Sequence, residues 1–316
     1  MADLDRVVGV LLGPACGDAL GAGYEFGPPL PDGETVVMKG GNGFKPGEWT
    51  DDTAMMVPIA QAIAAGQNLR SREGLEFVAQ GFLTWYASGP KDVGLQTRAV
   101  LGAAGSAAEV AAQAADFFAR RPNGSAGNGA LMRTAPVALA YLDDADGLTA
   151  AAFAVGALTH ADPVSGEACV QWCHAIRHAA LTGTFDGLRL ALDRLPPDRA
   201  VFWEGRIDEA ESSRPRDFDH NGWVVQALQA AWSAIITTPE PSDEPSRHLV
   251  LALEAAVRGG RDTDTVAAIA GGLLGARWGA SAIPTAWRDS IFGWPGYRAE
   301  DLEQLGRAIA DSVSFR

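Results

Sequence analysis

Apolar residues recur at helical spacing along nearly the whole chain, and stretches with the period-two alternation of a strand are scarce. The pattern predicts helices over 4–19, 52–64, 72–87, 94–103, 106–119, 130–141, 147–158, 164–182, 185–193, 221–236, 246–258, 264–278 and 299–313. Val7, Leu11, Leu12 and Ala15 form the stripe of the first. Met55, Met56, Ile59, Ala60 and Ile63 form that of the second, where an interior Pro58 is expected to kink it. Only 35–38 and a few residues near Ile283 have strand character. There is no βαβ alternation, no repeat of about 20–50 residues and no heptad. Exposed linkers are expected at 212–219 and 237–246, and neither separates halves that look complete. The expectation is one all-α domain over 1–316.

A chain of 316 residues, 47% hydrophobic and 20% charged, can bury a sizeable core. Abundant alanine and glycine suit close helix–helix packing. The net charge of −14 argues against a nucleic-acid backbone as partner, which needs clustered Lys and Arg. It leaves room for a phosphorylated small ligand, because bound cations invert local electrostatics. Cys16, Cys169 and Cys173 form no CxxC pair and read as small buried hydrophobes rather than a zinc site. Acidic residues precede the first apolar stretch, so it does not read as a signal peptide. No apolar run reaches the roughly 20 residues of a membrane span. A cytoplasmic location with no membrane partner is expected.

Two acidic turns stand out. Trp49-Thr50-Asp51-Asp52-Thr53 lies where a loop becomes a helix, and Asp262-Thr263-Asp264-Thr265 ends one helix and begins another. Either alone reads equally as an N-cap, where Thr and Asp are favoured and negative charge suits the dipole. Together they offer hard, oxygen-only ligands of the kind that hold Mg²⁺, Mn²⁺ or Ca²⁺. If the turns converge, mutual repulsion raises the carboxylate pKa values unless cations offset it. Two ions can do so and can also generate a hydroxide-like nucleophile.

Other residues carry weaker signals. Asp92, within Pro90-Lys91-Asp92-Val93-Gly94, is either a helix cap or an anionic partner for a guanidinium. Asn123-Gly124-Ser125-Ala126-Gly127-Asn128-Gly129 leads into a helix, where backbone N–H groups can cradle a diphosphate, or it is a plain flexible loop. Arg133, just beyond, can be an ion-pair partner. His160 ends a helix, a position usual for a structural donor. His174 and His178 share a helix face without an HExxH pattern and read as structural. Trp223 is either a core residue or a stacking platform for a base.

The ordered set Gly17-Asp18-Ala19-Leu20-Gly21, Glu25-Phe26, Trp49-Thr50-Asp51-Asp52-Thr53, Gly127-Asn128-Gly129-Ala130-Leu131-Met132-Arg133, Thr159-His160 and Gly260-Arg261-Asp262-Thr263-Asp264-Thr265 resembles the motifs of the ADP-ribosylglycohydrolase family. The resemblance runs from about residue 5 to 280. It implies a compact, orthogonal multi-helix bundle with a dinuclear metal site. Thr50, Asp51, Asp52, Asp262, Asp264 and Thr265 would hold two Mg²⁺ (or Mn²⁺). Glu25 would approach the ribose, and Asp92 with Gly94 would match the arginine-specific members. Ser125, Gly127, Asn128, Gly129 and His160 would bind phosphate and ribose, and Trp223 would stack on adenine. The implied reaction is hydrolysis of the N-glycosidic bond of an ADP-ribosylated protein, releasing ADP-ribose, with Asp51, Asp52, Glu25 and Asp92 as catalytic candidates in a monomer. A non-catalytic ADP-ribose binder, a hydrolase of serine- or nucleobase-linked ADP-ribose, and a different two-metal hydrolase are the alternatives.

Overall fold

The computed structural model describes residues 3–314. The helices in chain order are α1 (Leu4–Gly21), α2 (Asp51–Ala64), α3 (Arg72–Ala87), α4 (Leu95–Ala103), α5 (Val110–Arg120), α6 (Val137–Ala140), α7 (Ala145–Ala157) and α8 (Pro163–Thr182). They continue with α9 (Gly187–Leu190), α10 (Pro197–Ser212), α11 (Val224–Ile236), α12 (His248–Arg258), α13 (Thr263–Trp278), α14 (Thr285–Ser290) and α15 (Ala299–Ser314). A two-residue hairpin, β1 (Phe292–Gly293) with β2 (Tyr297–Arg298), is the one sheet among the described residues. No described helix is long and apolar enough to cross a membrane.

The centre of the fold is the antiparallel pair α1 and α13, both buried along most of their length. Glycine makes this approach possible. A methyl group on Gly9, Gly13 or Gly17 would lie 2.3, 2.1 or 2.2 Å from the carbonyl oxygen of Gly275, Gly271 or Ala267. One on Gly21 would lie 2.4 Å from the Asp264 Cα. Backbone therefore meets backbone, with no side chain between the helices to repack. The crossing sets the C-terminal end of α1 beside the N-terminal end of α13.

Several expectations needed correction. The stretch 130–141 is not one helix: a 3₁₀ turn at Leu131–Arg133 gives way to the four-residue α6. Pro136 lacks an N–H and disfavours helical geometry in the residue before it. The stretch 35–38 is not a strand. Its Val37 backbone bonds to a side chain instead, donating to the Tyr24 hydroxyl oxygen at 2.9 Å and accepting from it at 3.1 Å. The residues near Ile283 form a 3₁₀ turn, Ala280–Ala282, and the sheet lies further on. The stretch 185–193 is α9 followed by a 3₁₀ turn, and α11 starts only after Trp223. Pro58 falls inside α2 without ending it, and packs where α3 carries Gly81. α10 is a helix the periodic pattern does not announce: it opens on Pro196-Pro197 and buries only Trp203, Ile207 and Ala210.

The minor residues are structural. The three cysteines are buried and free. His174 Nε2 lies 2.8 Å from the Thr149 hydroxyl, and His178 Nε2 lies 3.0 Å from that of Thr184.

Candidate active site

Three helix ends meet at the acidic cluster. Asp18 lies in the last turns of α1, fully buried, and accepts the backbone N–H groups of Thr50 at 2.9 Å and Thr53 at 3.0 Å and the Thr53 hydroxyl at 2.7 Å. It caps α2 from a neighbouring helix, satisfying N–H groups that the helix itself leaves open. Thr50, at the N-cap position, makes no capping bond and is thereby free to face the site. Its hydroxyl lies 3.2 Å from Asp52 Oδ2 and 3.4 Å from Asp264 Oδ2, so it has one proton for two carboxylates. The Thr265 hydroxyl approaches the same Asp52 oxygen at 3.3 Å, and the Thr265 N–H donates to Asp264 Oδ1 at 2.9 Å. The two acidic turns thus converge.

Glu25 and Asp262 are brought in by backbone pairing. Phe26 N–H donates to the Arg261 carbonyl at 2.7 Å and Arg261 N–H to the Gly27 carbonyl at 2.8 Å, tying the loop after α1 to the turn before α13. That turn passes through Gly260 at φ 78°, where a methyl group would lie 2.5 Å from the Pro29 nitrogen. Asn128 Nδ2 then donates to Asp262 Oδ2 at 2.7 Å and to the Asn221 carbonyl at 2.9 Å. The Asp262 N–H donates to Asn221 Oδ1 at 3.2 Å.

The electrostatics follow from crowding under burial. Burial first, then Asp92, Asp18 and Asp262, push the Asp51 carboxyl up to about 8. Burial, then Asp262, Asp92 and Asp51, push Glu25 up to about 8. Burial pushes Asp18 up to about 6 against the hydrogen bonds it accepts from Thr53 and Thr50. Burial raises Asp52 and Asp264 well above the carboxylate range, aided by their acidic neighbours, and raises Asp262 too. Asp52 Oδ1 is buried with no hydrogen-bond donor. A buried polar oxygen without a partner is costly, and a cation would satisfy it. Two groups of three carboxylates, Asp18–Asp52–Asp264 and Glu25–Asp262–Asp264, each bring one oxygen per residue within 4.8 Å of one another. They share Asp264. Such oxygen-only sets fit a hard divalent cation.

Glu25, Asp51, Asp92, Asp262, Asp264 and Thr265 line a cavity of about 560 Å³ together with Gly94, Gly127–Gly129 and His160. That volume is in the range of small-molecule sites. Asp92 sits on the cavity wall, and the N-cap of α4 is Gly94, without a side-chain bond. An adjoining hollow of about 500 Å³ is lined by Asn123, Gly124, Asp162 and Trp223. Trp223 is 40% exposed, so it is no core residue, and it pairs by backbone with Gly127. Ser125 is placed differently from the other candidates. It is fully buried beneath the loop, and its hydroxyl donates to Asp162 Oδ2 at 3.1 Å. His160 is buried under Gly127 and Gly129, its imidazole pushed down to about 3 by burial and then by Arg133.

The model of the ADP-ribosylglycohydrolase family matches residues 1–314. The chain belongs to this family. ADP-ribosylglycohydrolases are enzymes that hydrolyse ADP-ribose linkages. The chain is 30% identical over 307 residues to the ADP-ribosylarginine hydrolase Tri1 of Serratia proteamaculans (strain 568), covering 91% of this chain and 75% of that one. It is 29% identical over 296 residues to the ADP-ribosyl-[dinitrogen reductase] glycohydrolase of Rhodospirillum rubrum, covering 91% and 90%. ADP-ribosylhydrolase ARH3 of Danio rerio is 26% identical over 350 residues, covering 98% and 90%. A solved structure described as an ADP-ribosylglycohydrolase-related protein complex superposes with a TM-score of 0.73 at 26% identity, covering 98% of both chains.

Two contributors to this ADP-ribosylglycohydrolase site, Asp18 and Asn221, are not among the residues expected to bind. Asp18 lies within Gly17-Asp18-Ala19-Leu20-Gly21, and an acidic residue inside a continuous apolar helix is itself a signal of a buried polar function. Asn221 joins the glycine-rich loop to the second acidic turn, and nothing in its local sequence marks it.

Proposed function

We propose that this ADP-ribosylglycohydrolase is a metal-dependent hydrolase of arginine-linked ADP-ribose on protein, releasing ADP-ribose. The observation that carries the metal requirement is the pair of carboxylate triplets sharing Asp264 beside the donorless Asp52 oxygen. Thr50, Asp51, Asp52, Asp262, Asp264 and Thr265, with Asp18, would hold two Mg²⁺ or Mn²⁺. Bound there, the ions supply charge neutralisation for the carboxylates and Lewis acidity toward water and ribose hydroxyls.

The protein's own groups do the rest. Water adds to the anomeric carbon, the bond from that carbon to the guanidine nitrogen breaks, and that nitrogen gains a proton. Such a bond breaks with oxocarbenium character, so anionic groups around the ribose favour the transition state. Glu25 and Asp51 stand on the cavity wall, where a carboxyl oxygen not taken up by the ions can hand the proton to the leaving nitrogen. Asp92 pairs with the guanidinium and holds it in line. Gly127, Asn128 and Gly129 with His160 cradle the diphosphate, and Trp223 stacks on the adenine from the adjoining hollow. Ser125 shapes the loop through Asp162. Support for the arginine linkage comes from Asp92 and from the Serratia relative, an ADP-ribosylarginine hydrolase.

The test is release of ADP-ribose from defined arginine-, serine- and nucleobase-linked substrates, with Mg²⁺, Mn²⁺ or chelator. Arginine-linked substrate should be cleaved best, and chelator or Asp264→Ala should abolish turnover. A clear serine preference, or full activity in chelator, would overturn the proposal.

A further inference from the structure

Arg133 is a buried charge that the proposed chemistry does not use. It is fully buried, with its guanidinium 4.5 Å from the centre of the Phe82 ring. Nη1 lies 3.5 Å from the Met55 sulfur, Nε has no partner, and Nη2 donates to the Thr159 hydroxyl oxygen at 2.7 Å. That same hydroxyl lies 2.8 Å from His160 Nδ1. Gln96 Nε2 donates to the Thr159 carbonyl at 3.0 Å and fixes the backbone of the pair.

The direction of the chain of bonds follows from what each group can do. A guanidinium only donates. It therefore takes one lone pair of the Thr159 oxygen, and because that hydroxyl meets no acceptor among the described residues other than His160 Nδ1, its proton turns there. Nδ1 is then an acceptor, and a neutral imidazole whose Nδ1 accepts carries its proton on Nε2. The Nε2 edge lies against the glycine-rich loop: methyl groups on Gly127 and Gly129 would fall 3.1 and 3.2 Å from Nε2, on the wall of the cavity.

We propose that Arg133 and Thr159 are positioning residues that lock His160 in the Nε2–H tautomer, so that the ring offers a donor to an anionic ligand oxygen at the Gly127–Gly129 loop. Only the identity of that oxygen, a diphosphate oxygen of ADP-ribose, rests on the proposed function. The opposite tautomer would aim a lone pair at the same anion. A guanidinium buried without a matching carboxylate is poor for stability, so its place beneath the histidine is accounted for by the ligand rather than by the core.

The tautomer is read from the ¹⁵N chemical shifts of the two His160 ring nitrogens in the ligand-free, metal-loaded protein, assigned with His160→Gln. The wild type should show a protonated Nε2 and an unprotonated Nδ1. Thr159→Val and Arg133→Met should each shift the population toward Nδ1–H, and Thr159→Ser should restore it. Far-UV circular dichroism identifies a variant that fails to fold, and the wild-type spectrum alone remains decisive. A wild-type ring protonated mainly on Nδ1, or a tautomer ratio unmoved in folded Thr159→Val, overturns the proposal. Binding of ADP-ribose by calorimetry separates the two claims. Thr159→Val should weaken it roughly ten- to hundredfold, the worth of a hydrogen bond to a charged group. Unchanged affinity despite a shifted tautomer overturns the donor role. A locked tautomer in a wild type that does not bind ADP-ribose leaves the relay standing and removes the proposed function.

Discussion

Replacing Gly17 by alanine tests whether the α1–α13 contact assembles the site. In isolation the change favours the helix by about 1 kcal/mol. Here the new methyl would sit 2.2 Å from the Ala267 carbonyl oxygen, where real contacts are essentially never under 3.0 Å. The helices must part by at least 3.0 − 2.2 = 0.8 Å at that point. Overpacking costs about 1–3 kcal/mol, and a backbone carbonyl cannot move aside as a side chain can, so the upper end applies. The expected net loss is about 2 kcal/mol. The neighbouring Asp18 belongs to one carboxylate triplet with Asp264, so parting the helices also widens that triplet. Urea unfolding with and without Mg²⁺ reads both effects: a lower midpoint and a smaller Mg²⁺-dependent rise. Gly205→Ala is the internal control. It lies on the exposed face of α10 with nothing within 4 Å of the added methyl, and should gain about 0.5–1 kcal/mol. If Gly17→Ala matched or exceeded the wild type and kept its Mg²⁺ response, the close-packing account would be wrong.

Three further outcomes follow. Asp51 and Glu25 have folded-state pKa values of about 8 against ordinary values of 3.8 and 4.5, so folding favours their protonated forms. Their contribution is full below about pH 4 and lost as pH rises through about 8, since the unfolded chain binds fewer protons there. Metal-free protein should therefore unfold more easily at pH 8 than at pH 5.5, and Mg²⁺ should raise the melting temperature more at pH 8; equal Mg²⁺ effects at the two pH values would contradict this. Trp223→Ala should cost less stability than the loss of a fully buried tryptophan, because the side chain is 40% exposed, yet weaken ADP-ribose binding by about 1–3 kcal/mol in calorimetry. Glu167 accepts Arg199 at 2.7–3.0 Å and the Trp203 indole N–H at 2.8 Å, joining α8 to α10. Glu167→Ala strands both donors and should cost about 2–3 kcal/mol in denaturant unfolding, below a fully buried pair because the Arg199 side chain is 28% exposed; no measurable change would show the pair to be solvent-screened.

The helices were legible where apolar spacing is strong and uninterrupted, as in α1, α2, α3 and α13. Interior proline does not decide legibility by itself, since Pro14 and Pro58 leave α1 and α2 unbroken. Pro136 broke a periodic stretch that read as continuous, and Pro197 began one whose exposed face hides its three buried residues. The latter is a known place for proline, at the first helical turn, and that was the available signal. The acidic turns showed the right residue types, but helix-cap chemistry explains either turn alone. What set them apart was long-range. Asp18 performs the cap of α2 that Thr50 would otherwise make, and no local pattern reports which of two carboxylates caps a helix. The spacing of Gly9, Gly13, Gly17 and Gly21, one turn apart on a single face, did carry the missing distance information.

That stripe also accounts for how the fold tolerates so many carboxylates together. α1 and α13 run antiparallel, so Asp18, near the C-terminal end of α1, falls beside Asp264 in the first turn of α13. On its own helix Asp18 faces the unfavourable end of the dipole. The N-termini of α2 and α13 both point into the cluster, and their open N–H groups meet carboxylate oxygens at Asp18 and Asp264. With the Thr53 hydroxyl, which lowers it most, these contacts hold Asp18 near 6 while Asp51 stands near 8. Backbone donors thus offset part of the repulsion and leave a remainder at Asp52, whose inner oxygen finds no donor. The close helix crossing supplies the rigidity that keeps this unfavourable remainder in place, and a divalent cation is the partner with the charge to remove it.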